Sequence, residues 1–357
     1  LTSPGNILVF HTAFPGDIVL TLPLVQALHR QLPGVRITVV TTPGAANVLT
    51  GHPAVDATIE FDKRGVHQGL RGILFMSSLL RERRFDTALI PHRSFRSGLV
   101  CRLAGIPRRI GFSTSAARFL MTRTVPYVSS QHEILRNLAL AGPLGIELRT
   151  LELPAVFPSQ EDRERVDAIL ESAPGEIAKR VALAPGSVWN TKCWPEARFS
   201  ALAGMLRHEG YEVVLVGGES DAMLCERIAG ASAPGGVRLL NACGKLTLLQ
   251  SAALIERCTV LVSNDSAPMH LGVAVRTPVV AIFGPTVPAF GFGPAGEHDR
   301  VVEIRNLSCR PCAIHGGPAC PVGTFDCMND ISAGAVRDEI HALIRLRTKS
   351  GTKKDGI

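Results

Sequence analysis

Short runs of β-forming residues recur along this chain, each followed by an apolar stretch with helical spacing. That alternation leaves few folds open. Residues 6–10 read NILVF, and in the segment after them Ile18, Leu22, Val25, Leu28 and Leu32 fall on one helical face. The pattern predicts a strand at 35–41 (VRITVVT), a helix at 70–84, a strand at 86–90 and a helix at 94–104. Pro154 and Pro158 then break the periodicity, and a charged helix is expected from near Ser159. The rhythm resumes with strands predicted at 180–184, 211–216, 259–263 and 278–283, and helices at 195–208, 219–229, 246–256 and 267–275. Such alternation implies parallel sheets with helices on both faces. The expected organisation is two α/β domains, 1–157 and 158–330, a C-terminal helix over 331–347 and a flexible basic tail over 348–357. Ligands of open α/β sheets sit beyond the carboxyl ends of the strands, so the residues there matter most.

Composition supports this. A hydrophobic content of 46% suffices for two cores, and 19% charged residues argues against disorder. No apolar run reaches the roughly 20 residues that span a bilayer. Asp17 and Pro23 interrupt any signal-peptide layout, and nine cysteines, an odd number, do not suit a secreted disulfide scaffold. A cytoplasmic protein is expected. The net charge of +7 is unevenly spread: residues 87–132 hold no acid but carry Arg93, Arg96, Arg102, Arg108, Arg109, Arg118 and Arg123. A field of that sign favours phosphates, nucleic acid or a membrane surface. The helix at 70–84, flanked by Arg71, Arg81, Arg83 and Arg84, suits a membrane surface, although covering the sheet is its simpler task.

Four segments carry chemistry. In AFPGDIVLTLP a strand ends, Pro15–Gly16 turns the chain, and a helix starts at or near Asp17. Asp17 is then a helix cap or a general base, and the two roles compete, because amides bonded to a carboxylate weaken it as a base. In LAPGSVWNTKCWPEARF, Gly186 and Ser187 offer amides and a hydroxyl to phosphate, with Lys192 adding a point charge; Trp194 is expected in the core. In VVLVGGESD, Gly217 and Gly218 leave room for a ribose or base, without the dinucleotide-binding glycine pattern. In SNDSAPMH, a helix starting near Ala267 aims its amides at the strand end, Ser266 can donate to phosphate, Asp265 suits a sugar hydroxyl or a turn amide, and His270 lies one turn in. A fifth segment has a structural look. Cys309, Cys312, Cys320 and Cys327 follow C-x2-C-x7-C-x6-C in a Gly/Pro-rich loop, which suits a structural zinc or iron; reduced thiols are the alternative. Cys101, Cys193, Cys225, Cys243 and Cys258 are scattered and expected to be inert.

The segments GDIVLTLPLVQALHRQLPGVRITVV, APGSVWNTKCWPEARFSALA, GKLTLLQSAALIERCTVLVSNDSAPMHLGVAV and PVVAIFGPT together resemble the bacterial ADP-heptose:lipopolysaccharide heptosyltransferases of glycosyltransferase family 9, over residues 6–346. The cysteine-rich loop is most similar to the heptosyltransferase II branch. The resemblance implies a GT-B fold, with two Rossmann-like domains facing a central cleft, the acceptor on the first and the nucleotide sugar on the second. It implies inverting transfer of heptose from ADP-heptose to the lipopolysaccharide inner core, heptosyl-Kdo2-lipid A, at the cytoplasmic face of the inner membrane. It places the base at Asp17, phosphate contacts at Ser187 and Lys192, sugar and phosphate contacts at Asp265, Ser266, Ala267 and His270, and the adenine beside Leu246. Where the family commonly has Gly, this chain has Ala267.

Elementary chemistry agrees with that assignment. Inversion needs one displacement and one base. A carboxylate with an ordinary pKa of about 3.9 serves if proton removal is late. The departing diphosphate needs its charge held. No D-x-D motif is present, so no cofactor is expected for catalysis. Arg93 and Arg96 of the arginine-rich stretch are the expected contacts to the anionic acceptor. Alternatives are a protein O-heptosyltransferase, a nucleotide-sugar 2-epimerase, a non-catalytic nucleotide-sugar sensor and an RNA-binding protein. The epimerase would need several acids and bases around the sugar. Nucleic acid is not expected, since Phe95, Phe112 and Phe119 are the aromatics interleaved with the arginines.

Overall fold

The computed structural model describes residues 5–146, 151–171, 180–231 and 239–351, with side chains through 346. The chain divides into two compact units, Leu1–Phe157 and Pro158–Ile357.

The first unit runs β1 (Asn6–Phe10), α1 (Pro15–Val19), α2 (Leu22–Gln31), β2 (Arg36–Thr41), α3 (Pro43–Ala46), β3 (Ala57–Glu60), α4 (Gly69–Glu82), β4 (Thr87–Ile90), α5 (Phe95–Leu103), β5 (Arg108–Phe112), β6 (Arg123–Val125) and α6 (Glu133–Ala139). Its six strands form a parallel sheet in the order β3-β2-β1-β4-β5-β6. β1 and β4 lie centrally and are buried on both faces, which their unbroken apolar sequences allow. Leu8, Phe10, Val40, Met76, Leu80 and Val100 build the core on one face. The single helix expected after β1 is two, with Leu20 and Thr21 between them. Pro23, the second residue of α2, has no amide to donate, so it suits a helix start and not an interior. α4 covers the sheet through Met76 and Leu80 but leaves Leu70, Leu74 and Phe75 exposed.

The second unit runs α7 (Gln160–Glu171), β7 (Arg180–Ala184), α8 (Glu196–His208), β8 (Glu212–Leu215), α9 (Ala222–Ala231), β9 (Leu239–Asn241), α10 (Leu248–Glu256), β10 (Val260–Asn264), α11 (Ala267–Ala274), β11 (Val279–Phe283), β12 (Arg300–Glu303), α12 (Asp326–Asn329) and α13 (Ala333–Gly351). Its parallel sheet has the order β12-β11-β10-β7-β8-β9. Trp194, Phe199, Val213, Val262 and Ile282 fill its core, and Val336, Ile340 and Leu343 of α13 close one side. α13 continues through 348–351, where the sequence suggested a tail; the rest of that tail, 352–357, lies outside the described residues.

Counted within each unit, both sheets have the strand order 3-2-1-4-5-6. The order reverses between the first and fourth strands, and loops leaving these two strands in opposite directions open a crevice at their carboxyl ends. In the first unit that point lies between β1 and β4, and in the second between β7 and β10.

Candidate active site

The second unit's crevice holds the expected donor residues. Gly186 and Ser187 directly follow β7, and Lys192 closes a short helical turn, Asn190–Lys192. Asp265 follows β10, Ser266 is the N-cap of α11, Ala267 is its first residue and His270 its fourth. Asn264 joins the two strand ends. Its Nδ2 donates to Pro185 O at 2.7 Å, and its Oδ1 accepts the Trp194 amide at 3.1 Å. Trp194 is buried, as its sequence context suggested, with Nε1 on Ile331 O.

Lys192 and Asp265 meet. Lys192 Nζ lies 2.6 Å from Asp265 Oδ2, and Thr286 Oγ1 donates to the same oxygen at 2.8 Å. The sequence suggested a sugar hydroxyl or turn amide for Asp265; here it holds a lysine and a threonine. The Ser266 hydroxyl is buried with no hydrogen-bond partner among the described residues. An unpaired buried hydroxyl at a helix N-terminus costs free energy until an acceptor arrives, and an anionic oxygen is the natural one.

The glycines have a more local explanation. A Cβ on Gly186 would lie 2.2 Å from Asp221 Cγ, and one on Gly217 would lie 2.9 Å from Asp221 Oδ2 and 3.2 Å from Cys243 Sγ. Asp221 Oδ2 accepts the Gly218 amide at 2.9 Å. The space expected beside Gly217 is therefore filled by Asp221, while beside Gly218 the nearest atom is 3.8 Å away. Leu246, half-buried, sits on the neighbouring loop between β9 and α10. Cys225 and Cys243 form a disulfide, which corrects their reading as scattered, inert thiols. Far apart in sequence, they come together because β8, α9 and β9 fold them onto one side of the sheet.

The first unit's crevice is different in kind. Asp17 is the third residue of α1, not its cap, and its Oδ2 accepts the Phe14 amide at 3.1 Å. Around β1 and β4, His11 Nδ1 contacts Thr21 Oγ1 at 2.7 Å, His92 lies near Thr12 and Ser97, and Lys63 Nζ donates to Thr12 O. Burial, with Lys63 and Arg93 nearby, pushes His92 down to about 4; burial and His92 drive His11 well below the usual histidine value. Burial also lowers Lys63, with Arg64 and Arg96 adding repulsion. Arg96 donates to Lys63 O at 3.2 Å. Arg93 lies over the Tyr127 ring at 4.3 Å, and Arg136 over the same ring at 4.7 Å.

Glu133, on α6, was not singled out by its sequence context. It pairs with Arg136 at 2.9 Å. Burial pushes its carboxyl up to about 7 against the pull of Arg136, and the charge of Asp17 pushes the same way. α6 docks beside α1 through Asn137 Nδ2, which donates to Leu20 O at 3.2 Å.

Cys309, Cys312 and Cys320 lie between β12 and α12, and Cys327 is the second residue of α12. Cys309, Cys312, Cys320 and Cys327 are close enough to act on one another electrostatically. Amides of residues 322–325 lower Cys320 toward its thiolate, while burial pushes Cys327 up to about 11. Among the described residues, no three His, Cys, Asp or Glu side chains are arranged to hold a metal ion.

The family profile described as glycosyltransferase family 9 (heptosyltransferase) matches residues 75–318. The chain belongs to glycosyltransferase family 9. This family 9 chain is 29% identical to "Lipopolysaccharide heptosyltransferase 2" of Escherichia coli K12, over 95% of this chain and 98% of that one. Its fold matches the solved structure of E. coli ADP-heptose lps heptosyltransferase II, with a TM-score of 0.79 and 25% identity, covering 96% and 99% of the two chains. A family 9 glycosyltransferase from Veillonella parvula superposes with a TM-score of 0.84 at 24% identity, over 95% and 97% of the chains, a likeness of fold. The protein is a glycosyltransferase of the GT-B α/β class.

Proposed function

We propose that this enzyme transfers heptose from ADP-heptose to the inner core of lipopolysaccharide, with heptosyl-Kdo2-lipid A as acceptor. The observation that carries this reading is the second unit's switch point, where Lys192, the unpaired Ser266 hydroxyl and the start of α11 gather at the ends of β7 and β10. This is a site for a nucleotide diphosphate in a chain similar throughout its length to a lipopolysaccharide heptosyltransferase.

In the proposed reaction an acceptor hydroxyl oxygen attacks the anomeric carbon from the face opposite ADP. The new carbon–oxygen bond forms as the bond to the diphosphate breaks, and that electron pair leaves on the phosphate oxygen. The hydroxyl proton passes to Asp17. Lys192, Ser187, Ser266 and the Ala267 amide hold the growing phosphate charge, Asp265 holds the Lys192 ammonium in place, and His270 faces the sugar. Gly218 and Leu246 border the nucleoside. Arg93 and Arg96 meet the acceptor's carboxylates and phosphates. Exposed Leu70, Leu74 and Phe75 beside Arg71 support peripheral contact with the cytoplasmic face of the inner membrane. Among the described residues no helix is long and apolar enough to cross a membrane.

The four cysteines are proposed to hold a structural zinc or iron with no part in the chemistry. Their C-x2-C-x7-C-x6-C spacing in a Gly/Pro-rich loop supports this, and binding would have to draw the four thiols together. Elemental analysis of purified protein is expected to find near one equivalent, and less than a tenth would refute it. The function itself is tested by mass spectrometry of truncated lipopolysaccharide cores incubated with protein and ADP-heptose. One added heptose on heptosyl-Kdo2-lipid A is expected; heptosylated protein with unmodified core would contradict the proposal.

A further inference from the structure

The loop that follows β12 braces both halves of the Lys192–Asp265 pair. On the lysine side, Thr191 Oγ1 donates to Gly317 O at 3.0 Å and lies 2.8 Å from the Gly317 amide that donates to it. The Thr191 amide also donates to Gly317 O at 3.2 Å. Gly316 has φ +81°, and a Cβ there would come within 3.1 Å of both Lys192 Cγ and Thr191 Oγ1. The loop backbone therefore lies against the lysine stem, where a side chain would strain the backbone and push Lys192 or Thr191 by a few tenths of an ångström.

On the aspartate side, Thr286 bonds Asp265, and the Thr286 carbonyl accepts Arg310 Nη2 at 2.8 Å. The Arg310 side chain, 5% exposed, also pairs with Glu303 at 2.6 Å and donates to the Ile304 and Gly284 carbonyls. The Cys312 amide donates to Pro285 O at 2.9 Å. One loop thus grips the turn bearing Lys192 with its tip and the segment supporting Asp265 with its base.

We propose that residues 310–317 position the donor site, with Thr191 and Gly317 fixing the Lys192 ammonium where the diphosphate binds. A lysine has a flexible four-carbon stem and loses side-chain entropy when it binds; an ammonium already held at its site loses less. The loop raises donor affinity by meeting that ordering cost in advance. Neither Thr191 nor Gly317 need touch the nucleotide, so both are positioning residues. This inference rests on the reading of Lys192 as a phosphate contact.

The test is ADP affinity by calorimetry on the full chain. Thr191→Val removes the hydroxyl and is expected to weaken ADP binding about tenfold, whereas Thr191→Ser keeps it and should bind within about twofold of wild type. Gly316→Ala, which pushes the loop off the lysine stem, should weaken binding to a degree similar to Thr191→Val. Thermal unfolding of each variant without ADP checks that the unit remains folded, and Gly316→Ala supplies the readout if Thr191→Val does not fold. Wild-type ADP affinity in folded Thr191→Val or Gly316→Ala overturns the proposal. Lys192→Ala separates the two levels: if it binds ADP as wild type does, the phosphate reading has failed; if it binds weakly while Thr191→Val does not, the bracing has failed.

Discussion

The two units share a strand order and differ in what they place at its reversal point. In the second unit the crevice cation is already partnered: Lys192 is locked to Asp265, and a buried hydroxyl waits at a helix N-terminus. In the first unit the crevice is lined by buried histidines held neutral and by cations bonded to carbonyls or stacked on a ring, with no acid between residues 87 and 132. Under the proposed function, the same fold gives one pre-shaped site for a diphosphate and one arginine-rich face for an anionic acceptor. A diphosphate that recurs in every turnover rewards pre-organisation, while a large, branched anionic glycolipid rewards steering and many weak contacts.

The sharpest way to break this comparison is to remove the proposed base, Asp17. Asp17→Asn is expected to lower kcat roughly 10³-fold, within the range for loss of a general base, and leave ADP affinity unchanged by calorimetry. Turnover within a few fold of wild type would remove Asp17 from the chemistry.

A second difference concerns pH. His52 and His92 of the first unit are both pushed by burial to about 4. Unfolded histidine takes up a proton near about 6.5, so the stability these two contribute is complete above that pH and is lost as pH falls toward 4. The gap between about 6.5 and about 4 corresponds to roughly 3.5 kcal/mol for each buried ring. His52→Asn should flatten the fall in unfolding free energy between pH 7 and 4 by about that amount. An unchanged pH slope would show that His52 takes up its proton at the same pH folded and unfolded, and that burial does not lower it.

Lys192→Ala probes the second unit with an effect of about 2 kcal/mol, or roughly 10- to 100-fold in ADP affinity, set by the loss of a charge-assisted contact. It also strands the buried Asp265 carboxylate, so Lys192→Ala paired with Asp265→Asn should recover stability but not ADP binding. The smallest expected effect is on Glu133. Because the charge of Asp17 is among the causes that raise Glu133 to about 7, Asp17→Asn should lower the Glu133 titration midpoint by a fraction of a unit in carboxyl carbon NMR. An unmoved midpoint would separate the two acids.

The alternation of NILVF, VRITVVT, RVALA and TVLVS with helical stretches made the central strands legible, because strands buried on both faces must be continuously apolar. The outer strands of the first sheet were not. β5 begins with Arg108 and Arg109, and β6 reads RTV, so neither has a signal apart from its neighbours. The break between α1 and α2 could have been read from Pro23. SNDSAPMH and the Lys192 loop stood out as crowded polar groups at strand ends, but their mutual contacts did not. Asn264 and Thr286 act through residues distant in sequence, on Pro185 and Asp265, and Asp221 fills the space beside Gly186, 35 positions away. Glu133 looks like an ordinary first-turn helix acid until α6 is seen docked beside α1. The Cys225–Cys243 pairing needed the fold, because a separation of 18 residues carries no spacing signal.

The division of labour is tested most directly by hydrogen exchange of the full chain with and without saturating ADP. The account predicts slowed exchange at residues 186–193 and 265–270, with residues 92–97 unchanged. Protection confined to the crevice between β1 and β4, with the segments around Lys192 and Ser266 unaffected, would contradict it.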